Sequence, residues 1–393
     1  MNCPTSGSCG ESTELAQNNE MGDEETFSLY IGSRIPDPTA SQGPTSAPIT
    51  PPESDTSGGT NIAVGSQLNF SDTQRLNLEL RGGTSILGFY LGYSQVTENP
   101  RQGFSVYGFN QRSDSTALDE GERDVELPGG EEPWVHRTGG GVEGYIPVGT
   151  VDAAVGVTYQ RVSLRDDLFT DDLAPEDELG NQLTVSDEGQ DDLLTLNLAA
   201  QYDTRDSDRN PTEGSRIRLG FDQSIPVGDA EIEMTRFTAS ATQFIPVPWI
   251  GFAEGPRTLV LNVQGGHIFG DTPFYEAFSL GGADSVRGYG GGEVGTGQSY
   301  ILATVEYRFP ITFLTVFDQG VDLGGTLFVD YGDLLGTQDE VMGEPGLVRD
   351  KPGEGLGFGI GLRADTEFAI GRFELGISDR GDVEFYFTLG DRF

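Results

Sequence analysis

From Asn61 to Phe393 the chain is written in segments of roughly ten residues in which apolar and polar side chains alternate, separated by turn residues. Leu76, Leu78 and Leu80 alternate with Arg75, Asn77, Glu79 and Arg81. Leu194, Leu196, Leu198, Ala200 and Tyr202 alternate with Thr195, Asn197, Gln201 and Asp203. Ile301, Ala303, Val305, Tyr307 and Phe309 alternate with Leu302, Thr304, Glu306 and Arg308. Val383, Phe385, Phe387, Leu389 and Phe393 face Glu384, Tyr386, Thr388 and Arg392. A period of two puts successive side chains on opposite faces of a strand, so each segment needs an apolar medium on one side only. No amphipathic helical pattern competes with it. No run of 18 apolar residues exists, which excludes a helical membrane span.

A soluble sandwich and a membrane barrel both supply one apolar side, and a single strand does not separate them. Length and connectivity do. The pattern predicts strands near 26–33, 61–70, 73–82, 84–94, 102–112, 135–146, 150–165, 192–204, 214–225, 230–245, 257–270, 298–309, 320–332, 355–364, 367–378 and 382–393. Most are long for a sandwich, and they suit a tilted bilayer crossing of about 9–11 residues. The long connections (34–60, 113–134, 166–191, 271–297 and 333–354) all follow odd-numbered strands. Those after even-numbered strands are mostly short turns, several carrying Pro, as in "YIPVG", "FIPVPW" and "YRFPI". Long loops on one side and short turns on the other is the arrangement of outer-membrane barrels. The expected fold is therefore all-β: a sixteen-stranded antiparallel transmembrane β-barrel over 61–393. It follows a polar N-terminal segment, 1–60, expected to be disordered. Parity alone places the first strand near 26–33.

Composition narrows the function. With 23 basic against 63 acidic residues the net charge is -40, which argues against nucleic acid as a partner. Cys3 and Cys9 lie in the polar N-terminal stretch and match no metal motif. The Gly-rich "GYGGGEVG" lacks a phosphate-binding Lys and a following helix. Asp206, Asp208 and Asn210 open like a calcium loop, but Pro211 and Ile217 stand where Gly and Glu are needed. His136 and His267 have no evident Ser or acid beside them, so no hydrolytic site is expected. No cofactor and no metal are expected. Tyr90, Tyr93, Trp134, Tyr307, Phe309 and Phe393 fit aromatic girdles at the membrane surfaces.

Four stretches, in this order, resemble a known family. "YDTRDSDRNPTEGSRIRLGFD" has an Asp-Arg-Asp…Pro-Thr-x-Gly turn carried by Asp203, Arg205, Asp206, Pro211, Thr212 and Gly214. "GGADSVRGYGGG" centres on Val286, Arg287, Gly288 and Tyr289. "GGTLFVDYGDL" holds a Phe-x-Asp-x-Gly strand with Phe328, Asp330 and Gly332. An alternating aromatic strand with Phe385, Phe387, Leu389 and Phe393 ends the chain. Together they resemble the outer-membrane barrel-assembly superfamily: Bam-type insertases, two-partner secretion transporters and the chloroplast outer-envelope import channel. From 61 to 201 the resemblance rests on strand pattern only.

The resemblance implies a barrel whose long sixth extracellular loop folds into the lumen, where Arg287 meets an acid on the inner wall. The alternation of 321–331 turns Asp322, Thr326, Phe328 and Asp330 inward, so Asp330 is the expected partner. Phe393 and the strand before it are similar to the C-terminal signal by which barrels are recognised for insertion. The implied function is insertion or translocation of polypeptides at an outer membrane, through a weakly paired seam between the first and last strands. The alternative is a passive pore or structural barrel. Implied partners are outer-membrane lipids, unfolded barrel or secreted polypeptides, and accessory lipoproteins. Relatives generally carry polypeptide-transport-associated (POTRA) domains before the barrel. Only sixty residues precede Asn61, so the chain is expected to be a barrel without them or a fragment. A bacterial outer membrane is expected over a plastid envelope, because no transit-peptide composition is visible.

Overall fold

The computed structural model describes residues 25–32, 61–98, 101–130, 133–170, 172–228, 230–316, 319–366 and 370–393. The remainder of the polar N-terminal segment lies outside the described residues. Among the described residues eighteen strands follow one another: β1 (Glu25–Gly32), β2 (Asn61–Ser71), β3 (Gln74–Gly83), β4 (Ile86–Glu98), β5 (Arg101–Ser113), β6 (Trp134–Val148), β7 (Val151–Arg165), β8 (Gln190–Asp203), β9 (Gly214–Ile225), β10 (Met234–Pro246), β11 (Thr258–Gly270), β12 (Phe278–Leu280), β13 (Gly295–Gly297), β14 (Ser299–Val316), β15 (Gln319–Asp333), β16 (Glu354–Thr366), β17 (Ile370–Ser378) and β18 (Val383–Leu389). Sixteen of them pair in chain order as a single antiparallel sheet. The other two, β12 and β13, form a small hairpin inside the loop between β11 and β14.

The alternation read from the sequence sorts the wall as expected of a barrel. Leu78 and Leu80, Leu87, Phe89 and Leu91, Leu327 and Val329, and Phe358, Ile360 and Leu362 are exposed on the outer face. Thr238, Ser240, Thr242, Thr304, Glu306, Arg308, Thr326 and Asp330 are buried inside. A one-residue slip would reverse every one of these assignments, so the sequence pattern fixes the register.

Between β1 and β18, the two ends of the sheet, the contact differs. Their Cα atoms approach within 8 Å, yet no ladder joins them among the described residues. They are also the two shortest wall strands, at 8 and 7 residues. An edge of this kind leaves backbone donors and acceptors free to pair with another strand.

Three expectations need correction. Tyr90 is not a girdle residue: it points into the lumen and stacks on Tyr107, with centroids 6.0 Å apart. The strand placed at 298–309 continues to Val316, because Pro310 sits at a register shift where its missing N–H costs no ladder bond. The last strand stops at Leu389 instead of reaching 393. Gly390 takes a φ of 94°, the chain turns inward, and Phe393 is buried against Phe244 and Val260. Phe393 is thus neither on the outer face nor in a girdle.

At the end of the barrel with the long loops, those loops pack into a dome. Ala117, Leu118 and Leu127 from the β5–β6 loop meet Leu183 from the β7–β8 loop, Phe274 and Tyr275 from the β11–β14 loop, and Val341 from the β15–β16 loop. Lys351, the chain's single lysine, is buried there and donates to the carbonyls of Thr116 (2.9 Å) and Ala117 (3.3 Å). Arg349 donates to the Val125 carbonyl at 2.6 Å.

Candidate functional site: a loop pinned inside the barrel

The 28 residues between β11 and β14 fold back into the lumen. Their core is apolar: Phe278, Leu280, Val286, Tyr289 and Val294 pack with Tyr300 and Leu302 of the wall and with Leu334 just past β15. Arg287, in the middle, is 0% exposed. Its guanidinium makes a two-pronged bond to Asp330, Nε to Oδ2 at 2.7 Å and Nη2 to Oδ1 at 3.1 Å. Its backbone N–H adds a third contact to Oδ2 at 3.2 Å. Nη1 donates to Glu306 at 2.9 Å and to Glu374 at 2.6 Å. Arginine's planar fork supports this parallel geometry, whereas an ammonium would act as a point charge.

The wall residues of the Phe-x-Asp-x-Gly strand each serve the loop. Phe328 lies under the guanidinium, its ring centroid 3.4 Å from Cζ, a cation–π stack. Asp330 supplies the carboxylate. Gly332 leaves the space that Val286 fills: a Cβ there would come 2.6 Å from Val286 Cγ2.

A second feature went unnoticed in the sequence. On β16 the inward positions are Gly355, Gly357, Gly359 and Gly361, between outward Leu356, Phe358, Ile360 and Leu362. A Cβ on Gly357 would collide with the Arg287 carbonyl, and one on Gly376 of β17 with the Gly288 amide. The bare stripe lets the loop backbone lie directly on the wall. Gly288 itself has φ 106°, and a Cβ there would sit 2.6 Å from Ile377 C and Ser378 N. Only glycine fits that position without displacing backbone.

Loop and last wall strand are bonded to each other. The Gly288 N–H donates to the Tyr386 hydroxyl of β18, and that hydroxyl donates to the Tyr289 carbonyl, both at 2.8 Å. The Tyr289 hydroxyl donates to Asp379, in the β17–β18 turn, at 2.5 Å. Burial and this bond push the Tyr289 phenol above its usual value. Burial would raise the Asp379 carboxyl, but the Tyr289 hydroxyl and the Leu356 amide outweigh it and hold Asp379 below the usual carboxylate range.

The ion pairs extend beyond Arg287. Arg308 bridges Glu306 (2.8 Å) and Asp391 (2.7 Å), and Arg363 lies 3.4 Å from Asp391. Arg372 reaches Glu374 at 3.4 Å. Arg392 contacts Asp330 at 3.2 Å and donates to the Ser285 carbonyl of the loop. Five arginines of a strongly acidic chain thus gather at one place. Each buried carboxylate there has at least one cationic partner, which a confined site requires of charges it removes from water.

Residues 59–393 match the Omp85 superfamily domain. The chain belongs to the Omp85 superfamily. It is 30% identical over 327 residues to Outer envelope protein 80, chloroplastic, of Oryza sativa subsp. japonica, covering 82% of this chain and 45% of that protein. It is 29% identical over 220 residues to Protein TOC75, chloroplastic, of Pisum sativum, covering 54% of this chain and 25% of that protein. In fold it is similar to BamA from Haemophilus ducreyi lacking POTRA domains 1–3, with a TM-score of 0.65 at 15% identity over 94% of this chain and 70% of that one. CdiB from Escherichia coli gives a TM-score of 0.58 at 13% identity over 93% of this chain and 62% of that one. The chain spans less than half the length of the curated relatives that cover most of it. It is a barrel of an outer membrane or plastid outer envelope.

The strand-turn motif lies at the short-turn end of the barrel. In the β8–β9 turn, Arg205 clasps Asp203 (Nη2 to Oδ2, 2.7 Å; Nε to Oδ1, 3.0 Å). Asp206 accepts from the Thr212 amide at 2.8 Å, the Thr212 hydroxyl at 2.6 Å and the Glu213 amide at 3.1 Å. Pro211 is buried beside them, and Gly214, with φ 104°, leads into β9 against the Thr204 carbonyl. The turn reaches across the mouth: Arg209 pairs with Asp365 of β16 at 2.8 Å, and Arg205 Nη1 donates to the Phe393 carbonyl at 3.5 Å. Of the C-terminal signal residues, Phe385 and Phe387 stand exposed on the outer face with Leu389 in the same alternating set, while Phe393 has turned inside. The two histidines do not join any of these clusters. His267 bonds Ser299 (2.6 Å), its partner across the β11–β14 ladder, a serine the sequence reading did not find. His136 bonds Thr138 at 3.1 Å.

Proposed function

We propose that this barrel inserts or translocates polypeptides at an outer membrane, using the seam between β1 and β18 as the place where an incoming strand pairs. Omp85 proteins are a family of transporters and insertases, not enzymes. One observation carries the reading: the arginine of the sixth loop is sealed against three wall carboxylates, while the same loop is hydrogen-bonded to the seam strand. In this proposal the pin has a positioning role. Arg287 and Asp330 hold the loop, the loop holds β18 from the inside, and β18 is thereby kept in the wall without a ladder to β1. A substrate segment adds to the free edge by backbone hydrogen bonding, the general mode of strand addition. Unfolded barrel or secreted polypeptides are the proposed substrates, and accessory lipoproteins the proposed helpers.

The test is reconstitution of the chain into liposomes, followed by addition of an unfolded small barrel protein. An insertase accelerates folding of that substrate above empty liposomes, and a disulfide locking β1 to β18 removes the acceleration. Ion flux without any acceleration identifies a passive pore and ends the proposal.

A further inference from the structure

The connection between β10 and β11, residues 247–257, is eleven residues long where most neighbouring turns need two or three. Its sequence, VPWIGFAEGPR, is apolar at the tip. Trp249, Ile250 and Phe252 are 52%, 76% and 74% exposed. They do not dangle. The Trp249 ring packs on Tyr307 with centroids 5.3 Å apart, and Phe252 on Phe309 at 5.8 Å. The Phe252 N–H donates to the Pro310 carbonyl at 2.9 Å, and the Tyr307 hydroxyl donates to the Ile250 carbonyl. Arg257 closes the turn from beneath, donating to the carbonyls of Ala253 (3.1 Å) and Gly255 (3.0 Å).

Tyr307 and Phe309 belong to the outward set of β14, with Ile301 and Val305. The turn therefore folds back over the outside of the wall and widens its apolar face. An exposed apolar patch held rigidly in place marks a surface with a partner. Here the patch runs without a break into the face the bilayer covers, and an indole with one polar N–H suits the boundary between headgroups and acyl chains.

We infer that turn 247–257 is an interfacial anchor seated in the bilayer at the short-turn end of the barrel, with Trp249, Ile250 and Phe252 lodged among the lipids. The inference rests on the outer face being lipid-covered. It adds a fixed attachment to the leaflet five wall strands away from β18.

The chain has two tryptophans, so the difference between the intact chain and Trp249→Phe isolates the emission of Trp249. Seated about 5–10 Å into the interface, it loses roughly half its emission in vesicles of phosphatidylcholine brominated near the headgroup, and aqueous iodide leaves it unchanged. Quenching by iodide but not by brominated lipid overturns the anchor. Protection from both quenchers overturns it too, since a protein then covers the patch. The paired variant Ile250→Ser, Phe252→Ser keeps the backbone bond to Pro310; it is expected to red-shift Trp249 and to keep the heat-modifiable mobility of a folded barrel. A chain that neither floats with the vesicles nor shows that mobility refutes the lipid-covered wall itself, which is a separate outcome.

Discussion

Replacing Arg287 with alanine should release the sixth loop from the wall by a factor that the ion pairs allow to be worked out. The side chain holds Asp330 through two prongs and touches Glu306 and Glu374. Breaking a buried pair by removing one partner costs about 3–5 kcal/mol. Here the orphaned carboxylates keep other partners: Asp330 retains Arg392 and Thr304, Glu306 retains Arg308, and Glu374 retains Arg372. The lower end, about 3 kcal/mol, is therefore the expected loss. At 1.4 kcal/mol per decade this raises the open population of the loop roughly 100-fold. The assay is the labelling rate of a cysteine at Ala283, buried in the loop, by a membrane-impermeant maleimide, with Cys3 and Cys9 replaced by serine. Labelling limited by loop opening should accelerate by that factor in Arg287→Ala. In Arg287→Lys, which keeps the charge but loses the fork, it should accelerate about tenfold. An Arg287→Ala rate within threefold of the parent would refute the pin.

Other substitutions test separate parts of the scheme. Gly288→Ala should unseat the loop with every charge retained, because its Cβ meets backbone at 2.6 Å, and the same labelling assay reads it. Arg392→Ala removes the second cation on Asp330 and the bond to Ser285, and should lower the unfolding free energy by about 1–3 kcal/mol in a denaturant titration. Asp206→Ala leaves the Thr212 and Glu213 amides without their acceptor and should cost about 1–2 kcal/mol by the same measurement. Burial, with Arg349 nearby, pushes the Lys351 ammonium down from 10.5 to about 7 against the pull of Asp119, Glu120 and Glu293. Between those values the unfolded chain binds a proton that the folded dome does not, so stability rises with pH from about 7 towards 10.5 and is level below 7. Thermal unfolding followed across that range should lose this slope in Lys351→Met.

The wall was legible because alternation is a direct image of a surface with two different media. Leu76 to Arg81 and Ile301 to Phe309 sort outward and inward as their polarity requires, except Leu302, which turns inward to pack on the loop. What escaped the reading has identifiable causes. Pro310 looked like a turn because proline breaks ladders, yet a register shift removes the demand for its N–H. Phe393 looked outward because the alternation of β18 was carried past Gly390, where a positive φ and the pull of Arg308 on Asp391 redirect the chain. Glu306 and Glu374 were not singled out as contacts of Arg287. Their signal was present, since a charge at an inward position of a bilayer-crossing strand calls for a partner. The glycine stripe of β16 was visible as "GLGFGIG" but has no meaning until a second backbone is known to lie on it.

Asp330 is shared by two guanidinium groups that arrive from opposite directions, one on the surface-derived loop and one on the tail just past the final strand. Under the proposed function, a single carboxylate thus serves as the joint of a lever whose arms are the surface-derived loop and the rim where β1 and β18 meet. Peeling the last strand away strips one arm from the joint and loosens the other. On that proposal a displacement at the rim reaches the far surface with no further moving part.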